Sequence, residues 1–380
     1  MTVFIVGLLS LAIWLELVLG HGGFWQTRDR DTAPFSTPAK AGEVGKLPSV
    51  VAVVPARDEA DVIARSIGSL ARQDYPGDFR IVLVDDNSSD GTADVARALR
   101  SQRVQVLSGA PLPAGWTGKL WAVSQGIEAA GAPDYLWLTD ADIEHAPDTL
   151  ATLVARAQVE CRVLVSLMAK LRCDTLAERA LVPAFVFFFQ MLYPFARVNR
   201  RGRTAGAAGG CMLVRRDALE RAGGIAAVRG ALIDDCAVGA LLKRQGPIWL
   251  GLTERSRSIR PYDTAGHVGA MIARSAYAQL GYSPVKLVGT VAGLGLVYWA
   301  PPLLAVFGAG WARWAGLAAW ALMALAFQPM LRFYRRSPVW GVALPLIAAF
   351  YAGCTLWSAA QYYRGRGGMW KGRAQAARAA

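Results

Sequence analysis

Cysteine is sparse and unpaired in this chain of 380 residues. Cys161, Cys173, Cys211, Cys236 and Cys354 are scattered, odd in number and never spaced C-x-x-C. That pattern argues against a disulfide framework or a zinc site and fits a reducing compartment, with the thiols acting as small buried apolar groups. No Lys or Arg precedes the N-terminal apolar run and no A-x-A-like cleavage site follows it, so a secretory signal is not expected. Zinc-finger spacing and an aromatic RNA-binding signature are missing too, so the net charge of +13 is not assigned to nucleic acid. Anionic lipid and phosphorylated substrates remain as the polyanions it suits.

Charge is also missing from long stretches. Residues 3–15 are apolar but for Ser10, and 287–312, 314–331 and 337–363 hold no Asp, Glu, Lys or Arg. Each of the last three is long enough to cross a hydrocarbon core of roughly 30 Å, the second only just. With 54% hydrophobic residues and a mean hydropathy of +0.29, the apolar surplus is concentrated there. Pro301-Pro302 is expected to kink the first C-terminal segment, and Pro345 is a second candidate kink. By the positive-inside rule, Arg28 and Arg30 place the middle of the chain in the cytoplasm, and Arg332, Arg335 and Arg336 agree after two crossings. A third crossing would send Arg364, Arg366, Lys371 and Arg373 outside, so the last segment either spans against the rule or is re-entrant. A further apolar run, 180–196, is followed by Arg197, Arg200, Arg201 and Arg203. It reads either as a core helix or as an interfacial helix with arginines at the headgroups.

Between these segments, short β-rich runs alternate with amphipathic stretches. Strands are expected at 49–54, 80–85, 135–139 and 162–167, and helices at 62–73 and 92–102. The alternation predicts an α/β fold with a mostly parallel sheet covered by helices on both faces. The expected plan is an anchor at 1–20, a linker at 21–46 and a catalytic domain at 47–255. A juxtamembrane segment at 256–286, membrane helices at 287–363 and a basic tail at 364–380 complete it.

Ligands of such sheets bind beyond the carboxyl ends of the strands, and four acidic clusters fall at expected loops or helix starts. Arg57-Asp58-Glu59 follows the first strand and Asp85-Asp86-Asn87 the second, with Asp90 and Thr92 either capping the next helix or meeting a nucleobase or ribose. Asp140-Ala141-Asp142 follows the third strand. Two aspartates there suit Mg2+ or Mn2+, which take one or two carboxylates and complete their shell with phosphate oxygens. Asp142 has the alternative of capping the helix that follows. Asp234-Asp235 precedes a helical stretch, where Asp235 is either a general base for an acceptor hydroxyl or an N-cap. Lys119, in the Gly-broken loop 115–119, suits a phosphate or a surface charge. The glycine-rich 206–210 lets a substrate approach the backbone or simply turns the chain.

In their order, VVPARDEADVIARSIGSLARQDYP, VLVDDNSSDGT, GWTGKLWAVSQGI, LTDADIEHAP, GAAGGCMLVRRDALERAGG and IDDCAVGALLKRQG resemble a processive-type family 2 glycosyltransferase of the GT-A fold. IDDCAVG with MIARSAYAQLGYSP resembles, more finely, the hopanoid-biosynthesis-associated glycosyltransferases. The resemblance implies Arg57, Asp58 and Asp86 near base and ribose, Asp140 and Asp142 on ribose and metal-diphosphate, and Asp235 as base of an inverting displacement. It implies a nucleotide-sugar donor, with UDP-sugar as the family-wide expectation. A lipid acceptor and a bacterial plasma membrane with the catalytic domain cytoplasmic complete the implied picture. Processive members carry Q/R-x-x-R-W before the C-terminal spans. Here Met271-Ile272-Ala273-Arg274-Ser275 keeps the arginine alone, so Arg274 is the candidate to neutralise the leaving diphosphate and a single transfer is favoured over polymerisation. A polysaccharide synthase, a membrane-bound nucleotidyl- or phosphotransferase and a non-catalytic sensor are the competing readings.

Overall fold

The computed structural model describes residues 2–32, 47–369, 371–372 and 375. The chain forms two compact units. One comprises Asp29–Arg172 and Arg197–Pro261, the other Met1–Arg28, Cys173–Ala196 and Tyr262–Ala380.

The first unit is built on one eight-stranded sheet. Its strands are β1 (Val50–Ala56), β2 (Phe79–Asp85), β3 (Val104–Ser108), β4 (Tyr135–Leu138), β5 (Ile143–His145), β6 (Leu164–Lys170), β7 (Met212–Arg215) and β8 (Ile248–Ser258). They lie in the order β3-β2-β1-β4-β7-β6-β8-β5. β1 is buried at every residue, which its run of β-branched valines fits on both faces of the sheet. Helix Ile63–Ala71 covers one face through Ile63, Ile67 and Leu70, spaced one helical stripe apart. Helix Gly118–Ala129 crosses close to β1 at Gly126, where an added Cβ would stand 2.4 Å from Val53 Cγ1. That approach fixes how near the helix, and the lysine in its first turn, comes to the strand ends.

The expected parallel sheet is found with a qualification that matters for the site. Four of the seven pairings are parallel, while β4–β7, β6–β7 and β5–β8 are antiparallel. Because β7 runs against β4, Met212 pairs with Leu138, and the glycine-rich loop before β7 arrives where β4 ends. Because β8 runs against β5, Ser258 pairs with Ile143, and the chain leaving β8 arrives beside Asp142. β8 runs to Ser258, past the boundary placed at 255, because the alternation Thr253–Ser258 continues the ladder through polar residues. The expected linker also needs correction at its described end. Leu252 N donates to Asp29 O (2.8 Å) and Asp31 N to Leu252 O (3.1 Å), so residues 29–31 extend this unit despite their polar character. Residues 33–46 of that linker, and 370, 373–374 and 376–380 of the basic tail, lie outside the described residues.

The second unit is helical. Thr2–Leu19, Leu176–Val198, Pro284–Phe307 and Gly310–Phe333 are long and apolar enough to cross a membrane. The run at 180–196 therefore belongs with the long apolar helices, its first helix opened by a capping box between Thr175 and Glu178. Helix Leu344–Tyr363 follows a short 3-10 turn. Large apolar side chains such as Val285, Phe307, Trp311 and Trp314 are exposed, a surface suited to lipid. Helix 310–333 approaches 300–307 closely at Gly316, where a Cβ would lie 2.8 Å from Pro301 O, small-residue packing of the kind membrane helices use.

Pro301-Pro302 acts through the turn before it. Residues Gly295–Trp299 are π-helical, and the prolines supply no N–H to the carbonyl of Val297 in either an α or a π register. Buried Trp14 fills that role: its Nε1 donates to Val297 O at 2.8 Å, and its ring meets Tyr298 edge-on at 5.6 Å. Trp14→Phe keeps the ring contact and strands the carbonyl. A loss of about 1 kcal/mol is expected, read as a lower thermal midpoint of the detergent-solubilised protein.

Candidate active site

Asp140, the first residue after β4 and Thr139, faces the N-terminal turn of helix Asp234–Lys243 across Lys119. Lys119 Nζ lies 2.7 Å from Asp140 Oδ1 and 3.0 Å from Asp234 Oδ2. Thr117 accepts from Leu120 N and caps the helix that carries the lysine. Burial works against the charge on Lys119, but Asp140 and Asp234, with Asp235 nearby, raise its pKa above the ordinary lysine range. The ammonium is therefore a permanent charge, and Lys119 is a structural and electrostatic centre of the site rather than a surface residue.

Asp235 sits beside this pair. Its Oδ2 accepts from Gly209 N (3.0 Å) and its Oδ1 from Cys236 N (2.7 Å). Burial, then the Asp234 carboxylate, push its pKa up to about 6, against the pull of Lys119 and the two backbone donors. A carboxylate in that range is ionised at neutral pH yet more basic than an ordinary aspartate. Glycine is required at 239, where a Cβ would stand 2.9 Å from Gly206 C, while the backbone of Gly209 lies close enough that a Cβ there would touch Lys119 Nζ at 3.4 Å. The loop 206–210 is thus more than a turn: it lets the aspartate helix close on the end of β4. Thr139 joins in, its hydroxyl donating to Gly210 O at 2.8 Å and lying 2.9 Å from His145 Nε2. His145 is buried against Ser256 as well, and burial holds its pKa down to about 3, so it is a neutral strut.

Asp142 is held from the other side. Arg260, just past β8, places Nε 2.8 Å from Asp142 Oδ2 and Nη2 2.5 Å from Glu59 Oε2. The backbone repeats the link, with Ile259 N donating to Asp142 O at 2.9 Å. The loops after β1 and β2 are laced together. Arg57 Nη1 donates to Asp86 O (2.5 Å) and lies 3.7 Å from Asp86 Oδ2. Asp58, at φ 49°, accepts from Ser89 N at 2.8 Å. Ala60 N donates to Asp90 Oδ2, whose Oδ1 also clasps Thr92 N (3.0 Å). Asp86 is 1% exposed, so it orders this loop from within.

Arg274 is exposed at the end of helix Ala265–Ala273 and belongs to the helical unit, while Arg57, Asp58, Asp86, Lys119, Asp140, Asp142 and Asp235 belong to the sheet unit. Sequence reasoning missed Arg260, and named Glu59 and Asp234 only as members of their clusters. Arg260 left no local signal, because its meeting with Asp142 depends on β5–β8 pairing.

The donor set has the chemistry of a diphosphate-bound divalent cation. Asp140 and Asp142 present hard carboxylate oxygens at one strand end, and Asp142 Oδ1 has no hydrogen-bond partner among the described residues. No group of three His, Cys, Asp or Glu suited to hold an ion by itself occurs among the described residues. Such a site fits an ion that draws the rest of its shell from phosphate and water.

Residues 51–223 match the family described as Glycosyl transferase family 2. The chain carries a glycosyltransferase family 2 domain. An N-acetylglucosaminyltransferase of Rhizobium leguminosarum bv. viciae is 34% identical over 125 residues, 33% of this chain and 29% of the relative. A beta-monoglucosyldiacylglycerol synthase of Synechocystis is 34% identical over 132 residues, 34% of this chain and 24% of the relative. The chain thus spans less than a third of these relatives' length. The mannosyltransferase PcManGT of Pyrobaculum calidifontis, solved with GDP-Man and Mn2+, has a TM-score of 0.50 at 18% identity and covers 94% of this chain and 95% of its own. That likeness establishes the GT-A-like fold.

The raised pKa of Asp235 has a cost that pH reveals. A carboxyl at 3.8 in the unfolded chain and about 6 in the folded one destabilises the fold above about pH 6, and this cost fades as pH falls toward 4. Asp235→Asn removes it. Between pH 4 and pH 8, thermal melts should therefore move progressively in favour of the variant over the wild type; parallel pH profiles would contradict the assignment.

Proposed function

We propose that this chain is an inverting glycosyltransferase that moves one sugar from a nucleotide-sugar to a hydroxyl of a membrane lipid. The observation that carries this reading is the convergence of Asp140, Lys119, Asp234 and Asp235 at the end of β4 in a family 2 domain. A base near pH 6 stands there beside a carboxylate pair suited to a metal-bound diphosphate. Four long apolar helices and the diacylglycerol-glycosylating relatives support a lipid acceptor. The hopanoid acceptor rests on the fragments IDDCAVG and MIARSAYAQLGYSP.

In this mechanism Asp235 takes the proton of the acceptor hydroxyl as that oxygen attacks the anomeric carbon. The new C–O bond forms as the bond to the donor's diphosphate breaks, and the nucleoside diphosphate leaves with the electron pair. Bound at Asp140 and Asp142, a divalent cation would withdraw charge from that leaving group, an electrostatic role that usually dominates such transfers. Lys119 keeps Asp235 ionised at neutral pH and holds Asp140 and Asp234 together. The loops carrying Arg57, Asp58 and Asp86 form the base and ribose side. UDP is the proposed nucleotide.

Transfer is assayed with the solubilised protein, labelled nucleotide-sugars and lipid extracts. Asp235→Asn should lower the rate by about two to four orders of magnitude, with nucleoside diphosphate as the wild-type product; release of pyrophosphate instead would point to nucleotidyl transfer. Chelation should abolish transfer, and Mn2+ or Mg2+ should restore it.

The profile of kcat/KM against pH should fall on the acid side near pH 6. Lys119→Met removes the charge that lowers the Asp235 pKa, so it should move that limb to higher pH; an unmoved limb would sink Asp235 as the titrating base. Lipid mass spectrometry of cells with and without the protein identifies the acceptor, and an unchanged hopanoid fraction would eliminate the hopanoid assignment.

A further inference from the structure

Besides Arg57 in the loops after β1 and β2, two cations stand among the strand-end carboxylates, and of these two the mechanism above gives a task to Lys119 alone. Arg260 is the second. Its Nε and Nη2 serve Asp142 and Glu59, while Nη1 makes no hydrogen bond among the described residues. The side chain is 28% exposed, against 8% for Glu59 and 14% for Asp142. The guanidinium is thus held through Nε and Nη2 by two largely buried carboxylates, with Nη1 making no hydrogen bond of its own. A planar fork of five donors suits that division, with one edge for the protein and one for a phosphate oxygen. Local charge gives a reason for it. Glu59, Asp140, Asp142, Asp234 and Asp235 outnumber Lys119 and Arg260, so an approaching diphosphate meets an acidic edge and needs a positive contact beside the metal-binding aspartates.

We propose that Arg260 is a donor-site residue whose free Nη1 edge contacts the diphosphate of the nucleotide-sugar while Nε and Nη2 hold Asp142 and Glu59. Its task is of the same kind as the neutralisation that the family resemblance implies for Arg274. This inference rests on the reading of the domain as nucleotide-sugar-dependent. It further holds that Arg260 joins the loop after β1 to the loop after β4, so that base and diphosphate are gripped by one connected set of side chains.

Binding distinguishes a ligand contact from a strut without measuring turnover. The full-length protein in detergent is titrated with Mn2+ alone by electron paramagnetic resonance. It is titrated by calorimetry with UDP and GDP in the presence of Mn2+, and with uridine and guanosine. Arg260→Gln should weaken binding of the wild type's preferred diphosphate by about tenfold or more, the weight of a lost charge-assisted hydrogen bond. Its nucleoside binding should be unchanged, and its affinity for Mn2+ alone unchanged or tighter, because Asp142 loses a competing cation. Arg260→Lys should recover part of the loss.

Glu59→Gln, which keeps the Arg260 charge and its Asp142 contact, should weaken diphosphate binding less than Arg260→Gln does; if Arg260→Gln does not fold, Arg260→Lys carries the test, and wild-type diphosphate binding by Arg260→Lys would then overturn the proposal. Unchanged diphosphate binding in Arg260→Gln overturns the proposal. So does a parallel loss of metal, nucleoside and diphosphate binding, or a Glu59→Gln variant as impaired as Arg260→Gln. If the wild type binds neither diphosphate, the nucleotide-sugar reading itself falls, together with the role of Arg260.

Discussion

Asp140, Asp234 and Asp235 come from stretches of chain almost a hundred residues apart, and their mutual repulsion opposes the contact they make. Lys119 reverses that balance. Its ammonium lies within 3.0 Å of both Asp140 and Asp234, and it keeps the third carboxylate ionised although burial raises its pKa. The rest of the site follows from supporting this one cation. Thr117 caps the helix that presents it, and Gly126 lets that helix close on β1. Gly239 clears the space through which the aspartate helix reaches it. An apolar residue at 119 would leave three carboxylates facing one another in a half-buried cleft, a far costlier arrangement than losing a surface charge.

The second cation follows the same principle at the other aspartate. Arg260 satisfies Glu59 and Asp142 together, and thereby ties the first loop of the sheet to the loop after β4. Each carboxylate of the Asp140-Ala141-Asp142 turn is met by its own basic residue, one from each flank. That division keeps the two side chains apart and oriented. The loops after β1 and β2 are organised differently, through hydroxyls and backbone amides with Arg57 at their centre.

In the helical unit the governing constraint is the carbonyl that prolines leave behind. Apolar surroundings offer no water to replace a missing N–H, so an unsatisfied group there needs a protein donor. Trp14 provides it for Val297 from a different helix, and the same side chain packs on Tyr298. A sequence feature that reads as a kink thus becomes a fixed contact between the N-terminal helix and the helix at 284–307. Small residues at Gly7 and Gly316 bring neighbouring helices close enough to support it.

The sequence by itself determined what is local. β-branched runs marked β1, β2 and β4, and polar clusters after them marked the ligand edge. Long uncharged runs marked the apolar helices, a pattern whose composition is complete within twenty or so residues, and the order of the motifs from 53 to 246 led to the family 2 domain. Asp140 and Asp235 stood out as candidates for that reason. Tertiary structure alone decided which residues answer them. The antiparallel runs of β7 and β8 bring Gly209 to Asp235 and Arg260 to Asp142, a partner 118 residues away in the chain. Strand direction is set by the sum of many distant pairings and leaves no trace near Arg260 itself. A charge declares its chemistry in the sequence, but its neighbours are chosen by the fold.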